Sequence, residues 1–366
     1  MNPYSTNKAL FAIDRLALLK SGAQPSPVHL QLVLSDLCNH NCNFCAYRQD
    51  GYQSSELFIV KDEKGNTIKN PNRMITTHDA IQIVRDCKEL GVKAIQFTGG
   101  GEPTVHPNCS IIIDVAHSLG IETSLVTNGS KLNSAMRESL MGSSWVRISL
   151  DAGTKETYRM IRGLNSDSMW DSVLRDVNNL AVERNQNKSG LYIGISFVVT
   201  KDNWEEIPEA AKIAKEIGAD SIRFASRFTN ENDNYYSDYG ELAEELCEAE
   251  VSKSTDEFTA INSLTERRGD LRLGNPDYDL CTYQHLTTYI GADMNLYVCF
   301  CNAYNRYGLI GSLKGKGFLK LWQSEQKIKY MREFNPRNCN RCQFNSRNRD
   351  MLAIMQSLPD THVYFI

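Results

Sequence analysis

Residues 34–51 read LSDLCNHNCNFCAYRQDG, with Cys38, Cys42 and Cys45 spaced x3 and then x2. Thiols this close point to metal ligation. A structural zinc ion takes four closed ligands, usually supplied in two pairs. A cubane iron–sulfur cluster also takes four, one per iron. Three thiolates on one loop therefore suit a [4Fe–4S] cluster that keeps one iron open for a small molecule. The chain has eleven cysteines, and in a reducing compartment that number points to metal or catalysis before disulfides. Five fall late: Cys281, Cys299, Cys301, Cys339 and Cys342. Cys87, Cys109 and Cys247 are scattered, and read as small buried core residues.

Other residues near strand ends could serve the same chemistry. FTGGGEPTVHP (97–107) joins three glycines to Glu102. Glycines let a backbone approach a ligand, and a carboxylate accepts from an ammonium group. A bare run of this kind is equally a tight strand-to-helix turn. RISLDAGTKETYRMIRG (147–163) offers Ser149, Asp151 and two arginines, Arg159 and Arg162. Arg337, Arg341, Arg347 and Arg349 surround the last cysteine pair; such bases hold a phosphate or carboxylate, or form solvated surface.

These residues need a frame. Strand-patterned runs at 29–36, 93–99, 121–129, 145–152, 191–200 and 220–226 alternate with helical segments. One of these, 77–91, has Thr77 as its expected N-cap and Gly91 as its stop. Another, NWEEIPEAAKIAKEIG, ends at Gly218. Repeated strand–helix units predict a parallel α/β sheet, either a partial (β/α) barrel or an open doubly wound sheet. Both place the working site at the C-terminal strand ends, where the three-cysteine loop follows the first strand. The connection 46–76 is long and contains a hairpin pattern (VKDEKGNTIK), a surface decoration or a lid. Residues 231–250 carry eight acids and no base, and read as a solvated linker running into an amphipathic helix. TTYIGADMNLYVCFC reads as a hairpin, and GFLKLWQSEQKIKYMREF as one helix. The N-terminal ALFAIDRLALLKSG reads as a short amphipathic helix, not a signal peptide. The expected organisation is a helical extension (1–27), a core (28–230), an acidic linker and helix (231–275), a cysteine-held domain (276–345) and a tail (346–366) whose closing THVYFI docks on the core.

With 366 residues, 41% hydrophobic, the chain suffices for one large and one smaller domain. A formal net charge of −4 gives no footprint for wrapping nucleic acid. No run approaches the roughly 18 apolar residues of a membrane span. The expected location is the cytoplasm.

Cys38-x3-Cys42-x2-Cys45, with Phe44 before the third cysteine, resembles the signature of the radical S-adenosylmethionine (radical SAM) superfamily. The resemblance extends over roughly 28–345. It implies a partial (β/α)6 TIM-like barrel and SAM chelated through its amino and carboxylate groups at the open iron, so that the cofactor is the fourth ligand. By the same resemblance Gly100, Gly101 and Glu102 contact the methionine amino group. Ser149 and Asp151 meet ribose and carboxylate, and Arg162 answers the carboxylate. Asn128 neighbours the site, and Val198 with Val199 packs beside adenine.

The late cysteines resemble the twitch form of the SPASM extension, a small domain of hairpin and helix. That implies an auxiliary [4Fe–4S] cluster on Cys281, Cys299, Cys339 and Cys342, with a four-cysteine zinc ribbon as the competing reading. Cys301 departs from the pattern. Alternation along a strand turns it to the side of Cys299, as a substitute ligand, a hydrogen-atom donor or an inert thiol. The implied activity is reductive cleavage of SAM and hydrogen abstraction from a substrate. A one-electron reductant such as flavodoxin or ferredoxin would serve it, without membrane or nucleic acid. Relatives act on sugars or aminocyclitols, nucleotide-derived cofactors, or peptides; no recognisable peptide-recognition module precedes the barrel, which favours a small molecule. A different class, a zinc-stabilised SAM-binding protein or an iron–sulfur scaffold, would lack radical chemistry.

Overall fold

A computed structural model describes residues 6–355. All six strand-patterned runs form strands: β1 (His29–Val33), β2 (Ala94–Thr98), β3 (Glu122–Thr127), β4 (Trp145–Ser149), β5 (Tyr192–Val199) and β6 (Ser221–Ser226). The order β1-β2-β3-β4-β5-β6 is parallel throughout, as in a partial barrel. The residues choose their faces by strand alternation. On β2, Ile95 and Phe97 are buried while Ala94, Gln96 and Thr98 are half-buried. Phe97, Leu125, Ile148, Phe197 and Phe224 are buried in one core under the helices.

The sheet is wider than six strands. β7 (Thr259–Ser263) lies parallel to β6, in the stretch read as acidic linker and helix. That stretch is not simply solvated. Tyr236 is wholly buried, and Asp233 pairs with Arg268 and Arg272. The acidic run hid apolar tyrosines that pack under the helix Gly240–Ser252. At the other edge β8 (Thr287–Ile290) pairs parallel with β1 and antiparallel with β9 (Asn295–Tyr297), which pairs with β10 (Leu309–Ser312). The expected hairpin is therefore a continuation of the barrel sheet.

Three local expectations shift. The cap of helix Thr77–Leu90 is Thr76, whose hydroxyl accepts from the Asp79 amide; Gly91 ends it at φ 72°. The helix expected over 317–334 is two, Phe318–Trp322 and Glu325–Glu333, because Ser324 caps the second. Beyond Tyr297 the chain leaves the strand, and Phe300–Asn302 form a 3-10 turn, so alternation does not orient Cys301. The hairpin in the long connection forms (Val60–Lys61 with Thr67–Ile68). At the N-terminus a 3-10 turn, Thr6–Ala12, leads into the helix Ile13–Lys20. Cys87, Cys109 and Cys247 are core residues. The expected docking of 361–366 lies outside the described residues. Among these, no helix is long and apolar enough to cross a membrane.

Asp86 staples the C-terminal segment to the barrel. From helix Thr77–Leu90, its buried carboxylate accepts from the amides of Phe318 (2.9 Å) and Leu319 (3.1 Å), unsatisfied donors at a helix start. Asp86→Ala strands both, and is expected to cost about 1–3 kcal/mol in urea denaturation. An unchanged midpoint would refute the staple.

Candidate cysteine-cluster sites

Immediately past β1, the backbone of 35–37 lies against the end of β2. The amides of Gly101 and Glu102 donate to the carbonyls of Ser35 and Leu37, both at 3.0 Å. A Cβ added at Gly101 would stand 2.2 Å from the Leu37 carbonyl oxygen, and at Gly100 2.5 Å from the Asp36 carboxylate. The close approach that these glycines allow is thus that of the protein's own loop. Asp36 is wholly buried, held by Arg73 Nε at 2.7 Å and by the Tyr304 hydroxyl. Burial raises its carboxyl to about 7.

The cysteine loop docks on the C-terminus of the helix Lys155–Arg162. The amides of Asn41 and Asn43 donate to the carbonyls of Arg162 (2.9 Å) and Ile161 (3.0 Å). Arg162 is the centre of this arrangement. Its Nη1 lies 3.3 Å from Cys42 Sγ, its Nη2 pairs with Asp151 and reaches the Ser149 carbonyl, and its plane lies 5.7 Å from the Phe44 ring centroid. Arg159, one turn back, is half-exposed and pairs with Asp167, so the geometry brings only Arg162 to the cysteines.

Asp151 sits in left-handed backbone at φ 60° and accepts from the Val198 amide at 2.6 Å, joining the ends of β4 and β5. Glu102 joins β2 to β3. It accepts from Thr104 N (3.1 Å), Thr104 Oγ1 (2.6 Å), Thr127 Oγ1 (2.6 Å) and the Asn128 amide (2.7 Å). Three of these donors fall on Oε1 and one on Oε2, which retains an acceptor site. Asn128 Nδ2 continues to Asn39 Oδ1 at 2.9 Å, inside the cysteine loop. Phe44, Gly100, Gly101, Glu102, Asn128, Ser149, Asp151, Arg162 and Val198 therefore all lie on the segments that surround Cys38, Cys42 and Cys45.

Sequence reading missed Asn39, His40, Arg48, Asp36 and Arg73. Arg48 donates to Asn41 Oδ1 (2.7 Å) and the His40 carbonyl (2.8 Å), fixing the loop's turn. The polar run Asn39-His40-Asn41 between the first two cysteines was the available signal.

The second site lies in a cavity lined by Cys281, Cys299, Cys301, Cys339 and Cys342, with Tyr278, Asn302 and Arg341. All four expected ligands are brought together, and so is Cys301. Asn302 Nδ2 donates to Cys339 Sγ at 3.3 Å, and the Phe344 amide to Cys342 Sγ at 3.3 Å. The neighbouring Cys301 thiol holds Cys299 below the usual thiol range.

Both sites suit iron–sulfur clusters in their donors. Burial, reinforced by neighbouring sulfurs, pushes Cys38 to about 12, and Cys45 and Cys342 to about 11. Cys281 and Cys339 rise for the same reasons. Thiols so placed ionise together only when bound cations compensate them. Among the described residues, no three His, Cys, Asp or Glu side chains stand as a single ion would hold them.

Comparison with known proteins adds to this geometry. Residues 32–212, from within β1 past β5, match the family model described as Radical SAM superfamily. This barrel belongs to the radical SAM superfamily. The chain is 25% identical over 200 residues to the probable GTP 3',8-cyclase of Saccharolobus islandicus (strain M.14.25 / Kamchatka #1), covering 53% of this chain and 54% of that protein. It thus spans about half the length of these cyclases. It is 26% identical over 285 residues to the mycofactocin maturase MftC of Mycolicibacterium smegmatis, covering 75% of this chain and 68% of the maturase. Streptococcus suis SuiB, solved with its precursor peptide SuiA, shares the fold over 91% of this chain and 76% of that one (TM-score 0.61, 18% identity).

Arg162 and Asp151 are both buried, so breaking the pair leaves a charge uncompensated. Arg162→Met is expected to cost roughly 3–5 kcal/mol in chemical denaturation. Arg162→Met with Asp151→Asn, which removes the charge while tolerating the left-handed backbone and keeping an acceptor for the Val198 amide, should recover most of that loss. A single variant as stable as the parent would contradict the pairing.

Proposed function

We propose that the chain is a radical SAM enzyme with SAM at the open iron of a [4Fe–4S] cluster on Cys38, Cys42 and Cys45. An auxiliary [4Fe–4S] cluster would occupy Cys281, Cys299, Cys339 and Cys342. The observation that carries this reading is the three thiols at the C-terminal end of β1, within the matched barrel and ringed by buried polar groups from β2 to β5. A cluster held by Cys38, Cys42 and Cys45 would supply the one-electron reduction that cleaves SAM and so enables hydrogen abstraction from the substrate.

The chain's part is placement and exclusion of water. Arg162 stands beside Cys42 as a forked cation suited to the SAM carboxylate, held in position by Asp151. The remaining acceptor capacity of Glu102, between Gly101 and Asn128, suits the methionine ammonium. Ser149 at the end of β4 would serve the ribose, and Val198 and Phe44 the adenine side. Reduced flavodoxin or ferredoxin would supply the electron.

For the substrate, a small molecule such as a sugar, aminocyclitol or nucleotide is the first reading, supported by likeness to proteins named GTP 3',8-cyclases. A peptide is the alternative. SuiB, solved with a precursor peptide, supports the fold of that comparison.

Anaerobic reconstitution followed by iron, sulfide and zinc counts tests the reading, together with 5'-deoxyadenosine release under a strong reductant. About eight irons per chain and near-zero zinc are expected. Cys38→Ala, Cys42→Ala or Cys45→Ala should each leave about four irons and abolish SAM cleavage. Cleavage surviving in any of the three would sink the assignment. About four irons with bound zinc would recast the C-terminal cysteines as a zinc ribbon.

A further inference from the structure

The four arginines around the last cysteine pair have different surroundings. Arg337 pairs with Asp279 at 2.6 Å and Arg349 with Asp277 at 2.9 Å, both toward solvent. Arg347 lies 5.9 Å from the Phe344 ring centroid. Arg341 is 5% exposed, and none of its three guanidinium nitrogens has a hydrogen-bond partner among the described residues. Asp270, whose carboxyl feels its charge, accepts instead from Asn345 at 3.2 Å. A buried guanidinium with five donors and no carboxylate or carbonyl to accept from them is unfavourable without an anion.

The position of Arg341 indicates where that anion would come from. It springs from the Cys339–Cys342 loop beside the cysteine cavity, and its guanidinium lies 5.4 Å from the ring centroid of Phe228, two residues past β6. Its charge acts on the hydroxyls of Tyr52 and Tyr236, and Tyr236 donates to the Val199 carbonyl at the end of β5 at 3.0 Å. The cation therefore lies beside the segment that follows β6, at the edge of the second cysteine cavity. Tyr52 comes from the long connection after the first cysteine loop and is 5% exposed, and its hydroxyl faces the Arg341 guanidinium. Gln53 fixes this junction by donating to the carbonyl of Cys301 at 2.7 Å.

We propose that Arg341 and Tyr52 form a subsite for an oxyanion, carboxylate or phosphate, carried by the substrate. The word substrate rests on the function proposed above; the anion site does not. Arg341 supplies a forked cation and Tyr52 a hydroxyl donor, both nearly buried. Such a site makes anionic substrates specific, because a neutral analogue leaves the guanidinium buried and unpaired.

The test is equilibrium dialysis of the reconstituted full chain, without SAM or reductant, against radiolabelled inorganic pyrophosphate and, separately, acetate. One of the two should bind at one per chain, and which one does identifies the oxyanion. Arg341→Met should weaken binding about tenfold or more, Tyr52→Phe by less, and Arg341→Lys should fall between parent and Met. The Met variant should keep its iron and be no less stable than the parent, since it loses an unpartnered charge. Binding of neither anion, or binding unchanged in both Arg341→Met and Tyr52→Phe, would overturn the proposal. So would loss of iron from the C-terminal cysteines in Arg341→Met, which would make their cluster the counter-charge. Because SAM takes no part, failure here is separable from failure of SAM cleavage in the parent protein.

Discussion

The buried pair between Arg162 and Asp151 is where four stretches of chain meet: the first cysteine loop, the end of β4, the start of β5's exit and the helix Lys155–Arg162. A guanidinium can serve all of them because its donors form a rigid fork. It touches a thiol and a carboxylate together, and its own backbone carbonyl accepts from the loop. In a low-dielectric interior such a pair costs desolvation and returns geometry. Here the geometry is the direction in which Cys42 points. Glu102 plays the corresponding part on the other side, tying β2 to β3 and, through Asn128, to Asn39.

A single sheet sets the distance between the two cysteine sites. β8 pairs with β1, and β9, which leads to Cys299, runs back antiparallel on the far side of β8, so both cysteine segments are anchored on the same edge of the sheet. The junction is then locked by side chains. Tyr304 reaches Asp36, Tyr47 shares a hydroxyl contact with Tyr289 at 3.0 Å, and Leu57 donates to the Tyr304 carbonyl at 2.7 Å. The long connection 46–76 has two parts. Its first half is buried against the segment of Cys301 and Tyr304, while its hairpin is largely exposed.

What could be read beforehand depended on the range of the causes. The cysteine spacing and the six strands are local patterns, and period-two alternation with turn residues is enough to place them. β7 escaped because its short run TAINS has little hydrophobic contrast, and the acids before it suggested solvent. The split of the last helix was written in Ser324, a cap residue inside an otherwise helical pattern. The roles of Gly100 and Gly101 were not legible. A glycine shows that something comes close, and only the fold shows that the neighbour is Asp36 and Leu37. Nor could sequence separate Arg341 from Arg337, Arg347 and Arg349, since burial is a property of the tertiary fold.

The central claim is that one cluster is open to SAM and the other is closed by four cysteines. Electron paramagnetic resonance of the reconstituted, reduced protein with and without SAM tests it most directly. Two cluster signals are expected, of which one changes when SAM is added while the other, belonging to the C-terminal cysteines, does not. Two signals that both ignore SAM, with the protein folded and fully loaded with iron, would contradict it.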